Sequence, residues 1–338
     1  MLKKYNIRLT NRMHKDFLSK AIKESAFKIL GGKPRILHRV RNIKKARVLT
    51  ILNFHRVSIY DGSGYPPLDP ILFGRILDFL QEAYTIITFS QIKEFTSNAL
   101  LKPLLILSFD DGYKDFILNA VPEMAKRGIK CNQNIVPNCV ETGLPPLNVV
   151  VQDFIGKCSP EKYLSLNLTG FKWNNNNSIE KEALRVSAYL KNLTYKEQSL
   201  IFDSLLQSNG DEIRRSATAM MDIDDIKSIA SVCEIGCHSF YHSNMGVETN
   251  TFFRQDLVSC TSWFNEKLGI KPNIYAFPNG SFRDEQLQLA KSEGFETVLL
   301  VGDKFTSLDN SIHCRIGMSP RSFSEAKFQV AGKLCKIK

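Results

Sequence analysis

Two hydrophobic periodicities alternate along the chain from Val48 onward. Residues 48–54 (VLTILNF) and 104–109 (LLILSF) are short, nearly continuous apolar runs, the pattern of strands buried on both faces. Between them, Asp69-Pro70 opens a helix with an acid at the N-cap and proline at the first helical position. Ile71, Leu72, Ile76, Leu77, Phe79 and Leu80 form its apolar face. The spacing then predicts a helix over 114–127 stopped by Gly128 and a strand near 130–136. After Val140 the rhythm breaks, with loops at 141–147 (ETGLPPL) and 174–177 (NNNN). Helical spacing occupies 179–208, with Thr194 and Glu197 as a capping box. The alternation resumes with a strand at 232–237, a helix at 251–268 ended by Gly269, and a strand at 273–277. A helix at 284–293, a strand at 297–301 and a short helix capped by Ser322 and Glu325 complete it.

Strand and helix in alternation imply an α/β fold with a parallel sheet or a βα barrel. The expected organisation is a basic arm at 1–47, a barrel at 48–320 with a helical insertion at about 145–218, and a basic C-terminal helix or tail at 321–338. Hydrophobic residues make up 43% of the 338 positions, enough for a full core, so a disordered or fibrous chain is excluded. Eight cysteines with no C-x-x-C pair give neither a disulfide framework nor a zinc ribbon.

The net charge of +11 changes the picture of the N-terminus. Residues 1–48 hold 15 Lys or Arg against Asp16 and Glu24, and the remainder is close to neutral. Charges recur every few positions in 1–30, so a secretory signal is not expected, and the expected location is cytoplasmic. Phe17, Ala21, Ile22, Ala26, Ile29 and Leu30 recur at helical spacing among lysines. Two readings stand: a helix on an anionic membrane surface, at the inner membrane face, or a solvated arm on the body. Nucleic acid is not an expected partner, because no aromatic-rich basic loops occur elsewhere.

In parallel α/β folds, function collects at the carboxyl ends of the strands. Here those ends deliver His55, Asp110-Asp111-Gly112, His238 followed by His242, and Pro278-Asn279-Gly280. Adjacent carboxylates repel, and a bound cation relieves the repulsion; an Asp-Asp-Gly turn is the simpler reading. The i, i+4 spacing of His238 and His242 would set both rings on one side of a helical turn, facing a metal. Two unrelated histidines would give the same spacing. Cys237 reads as a buried structural thiol.

Three runs make the pattern more specific. LSFDDG at 107–112, GCHSFYHSN at 236–244 and YAFPNG at 275–280 resemble the three motifs of the polysaccharide deacetylase (NodB-homology) family. MDIDDIKSIA, ending at Ala230, resembles the short helix preceding the second motif. The resemblance implies a distorted (β/α) barrel of about seven strands. It implies a hydrolase that removes an N-acetyl or other N-acyl group from an amino sugar, in a polysaccharide or a lipid- or nucleotide-linked glycan precursor. It makes Asp110 the general base, and Asp111, His238 and His242 the ligands of one divalent ion, zinc first, with cobalt, nickel, iron or manganese also suited to such a set. Leu52-Asn53-Phe54-His55 matches the family's L-x-x-H motif, usually found near the end of the domain. His55 is then the general acid; otherwise it is a core histidine at a strand end. Asn279, Pro278 and Gly280 would serve the oxyanion or the substrate. The third motif departs from the family form: Ala276 stands where an arginine orients the base. The competing function is a catalytically silent protein that binds a glycan or a partner on the same scaffold.

Overall fold

A computed structural model describes residues 22–96, 100–333 and 335–337. Among the described residues there are nine strands: β1 (Val48–Phe54), β2 (Thr85–Ile86), β3 (Leu104–Phe109), β4 (Cys131–Ile135), β5 (Cys233–Cys237), β6 (Ile274–Ala276), β7 (Thr297–Val301), β8 (Thr306–Ser307) and β9 (Ile312–Gly317). Seven of them close a parallel barrel in the order β1-β3-β4-β5-β6-β7-β9, with β9 returning to β1. Closure is direct: Leu52 of β1 pairs with Leu107 of β3 on one side and Ile316 of β9 on the other. The expected barrel is therefore present. The short strands β2 and β8 lie outside the ring, on β3 and β1.

Side chains alternate across each strand, and the sequence fills the two faces differently. Outward positions such as Leu52, Phe54, Leu105, Leu107, Phe109 and Val298 pack under the surrounding helices. Inward positions Leu49, Ile51, Leu104, Ile106, Ile274 and Leu299 pack together inside the barrel. Further along the strands, the inward positions turn polar: Asn53, Ser108, Asn132, Asn134 and Arg315, all fully or nearly fully buried. That polar layer forms the floor of the site.

The helices follow the expected caps. Asp69 accepts from Leu72 N at the start of Pro70–Ala83, and Ser322 accepts from Glu325 N at the start of Phe323–Val330. The stretch expected as one helix over 114–127 differs: Phe116–Ala120 is a π-helical turn running into a short α-helix, Val121–Ala125. Pro122 lacks the N–H that a regular ladder needs there. Between β4 and β5 run helices Pro137–Thr142, Leu147–Lys157, Pro160–Leu164, Ile179–Leu190 and Tyr195–Ser216, the last opened by the Thr194–Glu197 capping box. Phe154, Ala183, Val186, Leu190, Ile201 and Leu205 give this region its own apolar cluster.

Residues 22–30 are helical, while Phe17 and Ala21 lie outside the described residues. The helix Lys33–Ala46 buries Ile36, Val40 and Ile43 against the body, and Arg39 donates to the carbonyls of Ala331 and Cys335. All eight cysteines are free thiols. No described helix is long and apolar enough to cross a membrane.

Candidate active site

Strand direction decides what meets here. β1, β3, β5 and β6 point the same way, and the first residues beyond the first three are His55, Asp110-Asp111 and His238. Three of the residues that shape the site sit at positive φ without being glycine: Asp111 at 76°, Ser239 at 63° and His242 at 58°. Such conformations cost roughly 1–3 kcal/mol each and persist only where the surroundings enforce them. Gly112, at φ 89°, completes the turn after Asp111, where a Cβ would press on Ile135 Cδ1 at 3.3 Å.

His238 and His242 do not share a helical turn. Residues 238–244 form a loop, and the rings converge because Ser239 and His242 both take left-handed backbone. Asp256, on the following helix, enforces this shape. It accepts from Ser239 Oγ at 2.8 Å and Phe240 N at 2.9 Å, while its other oxygen accepts from Tyr275 Oη at 3.2 Å. The two rings expected on one helical turn are thus brought together by a loop instead.

Asp110 is the centre of the polar floor. Arg315 Nη1 donates to its Oδ1 at 2.6 Å, Asn134 Nδ2 to the same oxygen at 2.8 Å, and Asn53 Nδ2 to Oδ2 at 3.0 Å. Arg315 Nη1 also donates to Ser108 Oγ and Asn53 Oδ1, both at 3.0 Å. Asn134 requires Gly236 beside it, since a Cβ there would lie 2.3 Å from Asn134 Oδ1. Burial by itself would raise the Asp110 pKa. Arg315, helped by His238 and His55, outweighs it and holds the carboxyl well below the usual carboxylate range. Arg315, on β9, is the cation beside Asp110, and sequence reasoning missed it. The carbonyl of Ala276 still serves the site, lying 2.8 Å from His238 Nδ1.

That contact leaves His238 Nε2 facing the carboxylates, 3.5 Å from Asp111 Oδ1 and 3.7 Å from Asp110 Oδ2. His242 Nε2 is 3.4 Å from the same Asp111 oxygen. Ligand atoms of Asp111, His238 and His242 all lie within 4.8 Å of one another. Asp111 Oδ1 is buried with no hydrogen-bond partner, an arrangement that a cation would satisfy. One carboxylate oxygen and two imidazole nitrogens suit a divalent transition metal. Burial drives His242 down to about 3, against the opposing pull of Asp111, so the ring is neutral and able to ligate.

His55 stands on the open side, with Nε2 4.0 Å from Asp110 Oδ2 and about a third of its side chain exposed. Burial lowers its pKa, opposed by Asp111 and Asp110. Its neighbour Arg56 anchors the loop: Nε donates to Asp115 Oδ2 at 2.9 Å, Nη2 to Asp61 Oδ2 at 2.9 Å and Nη1 to the Tyr65 carbonyl at 3.1 Å. A cleft of about 600 Å³ opens from His55, bordered by Tyr65, Pro66, Pro67, Glu180 and Arg321. Pro278, Asn279 and Gly280 form a 3-10 turn just after β6. Asn279 is exposed at φ 58°, and Gly280 packs on Val301 of β7, where a Cβ would meet Val301 Cβ at 2.8 Å.

The sequence profile of polysaccharide deacetylases matches residues 97–298. The chain belongs to the polysaccharide deacetylase family. As a family member it is a hydrolase of carbon–nitrogen amide bonds. The match begins after β1 and ends before β9, so His55 and Arg315 both lie outside it. Among solved structures, the chain is similar to IcaB from Ammonifex degensii, at 16% identity and a TM-score of 0.54, over 84% of this chain and 97% of that one. It is also similar to the deacetylase PplD of Streptococcus pyogenes in complex with acetate, at 15% identity and 0.55, with the same coverage. BC0361, a polysaccharide deacetylase from Bacillus cereus, aligns at 12% identity and 0.53, over 84% of this chain and 69% of that one. These likenesses show the shared barrel. No curated protein sequence matches the chain.

Proposed function

We propose that this polysaccharide deacetylase removes an N-acetyl or other N-acyl group from an amino sugar, in a polysaccharide or a lipid- or nucleotide-linked glycan precursor. The observation that carries the reading is the orphaned, buried Asp111 Oδ1 between His238 and His242, with Asp110 and His55 alongside. Asp111, His238 and His242 would hold one divalent ion, zinc before cobalt, nickel, iron or manganese. When bound, such an ion supplies Lewis acidity and brings the pKa of a water toward neutrality.

The chain's own residues do the rest. Asp110, kept ionised by Arg315, accepts the proton of the attacking water. His55, 4.0 Å from Asp110, is placed to pass a proton to the departing amine. The turn Pro278–Gly280 lies at the end of β6, where a backbone N–H can meet the acyl oxygen or the sugar. Arg315 supports this reading over a catalytically silent one, because the orienting cation that the third motif lacks is present from another strand.

The basic helices at 22–30 and 33–46 expose Ile22, Ile29 and Leu37 among Lys23, Lys28, Lys33 and Arg35. This supports contact with an anionic membrane, and the free thiols suit a cytoplasmic position at its inner face. Deleting 1–31 tests it better than deleting 1–46, because Ile36, Val40 and Ile43 belong to the core. Co-sedimentation with anionic vesicles should fall on that deletion, and unchanged binding would contradict it.

The activity test is acetate release from N-acetylated chito-oligosaccharides and from lipid- and nucleotide-linked N-acetyl sugars, after reloading with each metal. Release that depends on metal and on Asp110 is expected. No release from any substrate, with metal bound, would favour a binding role.

A further inference from the structure

The loop that carries His242 is gripped from two sides, and one of them is the helical insertion between β4 and β5. Asn244, two residues beyond His242, uses both ends of its side-chain amide. Its Oδ1 accepts from Gly246 N at 3.1 Å, and its Nδ2 donates to the carbonyl of Lys191 at 2.6 Å. Lys191 is the C-terminal cap of helix Ile179–Leu190. Four residues later, Tyr195 stacks on Tyr241, with ring centroids 4.0 Å apart and planes 25° from parallel. The Tyr195 N–H donates to Glu248 Oε1 at 2.5 Å. Tyr195 opens helix Tyr195–Ser216, directly after its N-cap Thr194. The short segment 191–195 thus holds Tyr241 and Asn244, which bracket His242, and Glu248 beyond them.

His242 needs such support. Its φ of 58° is left-handed, and a residue other than glycine keeps that conformation only where its surroundings fix it. Asp256 holds the first half of the loop, with hydrogen bonds to Ser239 and Phe240 besides Tyr275 and the Cys260 thiol. Past His242, Ser243 N donates to Ser239 Oγ at 3.2 Å, and Gln286 Nε2 donates to the Met245 carbonyl at 2.9 Å. The stack on Tyr241 and the bond from Asn244 are the grips closest to His242 that come from the insertion. Leu190 and Ile201, on the two helices that flank 191–195, both belong to the insertion's own apolar cluster, so the segment is anchored at each end.

We propose that the insertion sets the conformation of the His242 loop, with Tyr195 and Asn244 as positioning residues for the metal site. This rests on the reading of Asp111, His238 and His242 as ligands. None of the contacts uses a ligand side chain, so removing one leaves the ligand set complete and changes only how His242 is carried.

The test uses the full chain as wild type, Tyr195→Ala, Tyr195→Phe, Asn244→Asp and Leu205→Ala. Asn244→Asp keeps an oxygen for Gly246 N and loses the donor to Lys191. Leu205→Ala is the control for stability, since Leu205 is buried in the insertion's own cluster. Zinc affinity is measured by competition with a chelating dye, at a temperature where circular dichroism shows every metal-free variant folded. Tyr195→Ala and Asn244→Asp should each lower the affinity by about 10- to 100-fold. Tyr195→Phe should keep it, because the ring still stacks, and Leu205→Ala should melt earlier yet bind zinc as wild type does. Unchanged affinity in both Tyr195→Ala and Asn244→Asp would overturn the proposal. An equal loss in Leu205→Ala would overturn it too, because the effect would then be one of stability alone. If the wild type binds no zinc, the metal reading fails by itself, and hydrogen exchange of the metal-free proteins decides the role of the insertion. Faster exchange at 240–247 in Tyr195→Ala and Asn244→Asp, but not in Leu205→Ala, upholds it, and exchange equal to wild type overturns it.

Discussion

Arg315 of β9 donates to Asp110, the first residue beyond β3, at 2.6 Å, across 205 residues of chain. The two side chains meet because β9 closes the barrel against β1, which pairs with β3 on its other edge. Asn53, between them on β1, donates to Asp110 and accepts from Arg315. Both charges are buried, so each depends on the other.

Arg315→Met should therefore destabilise the fold by about 3–5 kcal/mol, the usual cost of stranding one buried charge. It should also reshape the pH profile. With Arg315 present, Asp110 stays ionised far into acid. Without it, burial dominates and raises the Asp110 pKa, so activity is lost at a higher pH as the medium is acidified. The double variant Arg315→Met/Asp110→Asn should regain part of the stability and none of the activity. Urea unfolding and a pH–rate profile check these outcomes.

Asp256 controls the loop between the two histidines through Ser239 and Phe240. Asp256→Asn keeps the size but replaces one acceptor oxygen with an NH₂ donor. Metal affinity should fall by about 10- to 100-fold, as for other residues that orient ligands. Competition with a chelating dye measures it, and unchanged affinity would show that the loop holds its shape without the carboxylate.

His313 supplies a pH dependence away from the site. It is buried on β9, and burial lowers its pKa from 6.5 to about 4. The unfolded chain therefore binds more protons between those values, so stability is present above pH 6.5 and is lost as pH falls toward 4. From pH 7 to pH 5 the loss from this group is about 2 kcal/mol. Urea unfolding at both pH values should show a smaller loss in His313→Gln than in wild type.

The sequence was legible where burial leaves continuous apolar runs. β1, β3 and β7 occupy the expected residues, and their ends present the expected His55, Asp110 and Asp111. It was illegible at β9, because Ile312–Gly317 places His313 and Arg315 at alternate positions and reads as neither an apolar strand nor a motif. A signal did exist: Asn53, Ser108, Asn132 and Asn134 are polar residues inside strands, and together they mark a polar layer that needs charged partners.

The most direct test of the account is metal content by elemental analysis, on wild type and His238→Ala/His242→Ala prepared side by side and reloaded with divalent ions. The account predicts a stoichiometric divalent ion in the wild type, lost in the double variant, with acetate release following the metal. No metal in either protein after reloading would contradict it, and the convergence of Asp111, His238 and His242 would then be only a buried polar cluster.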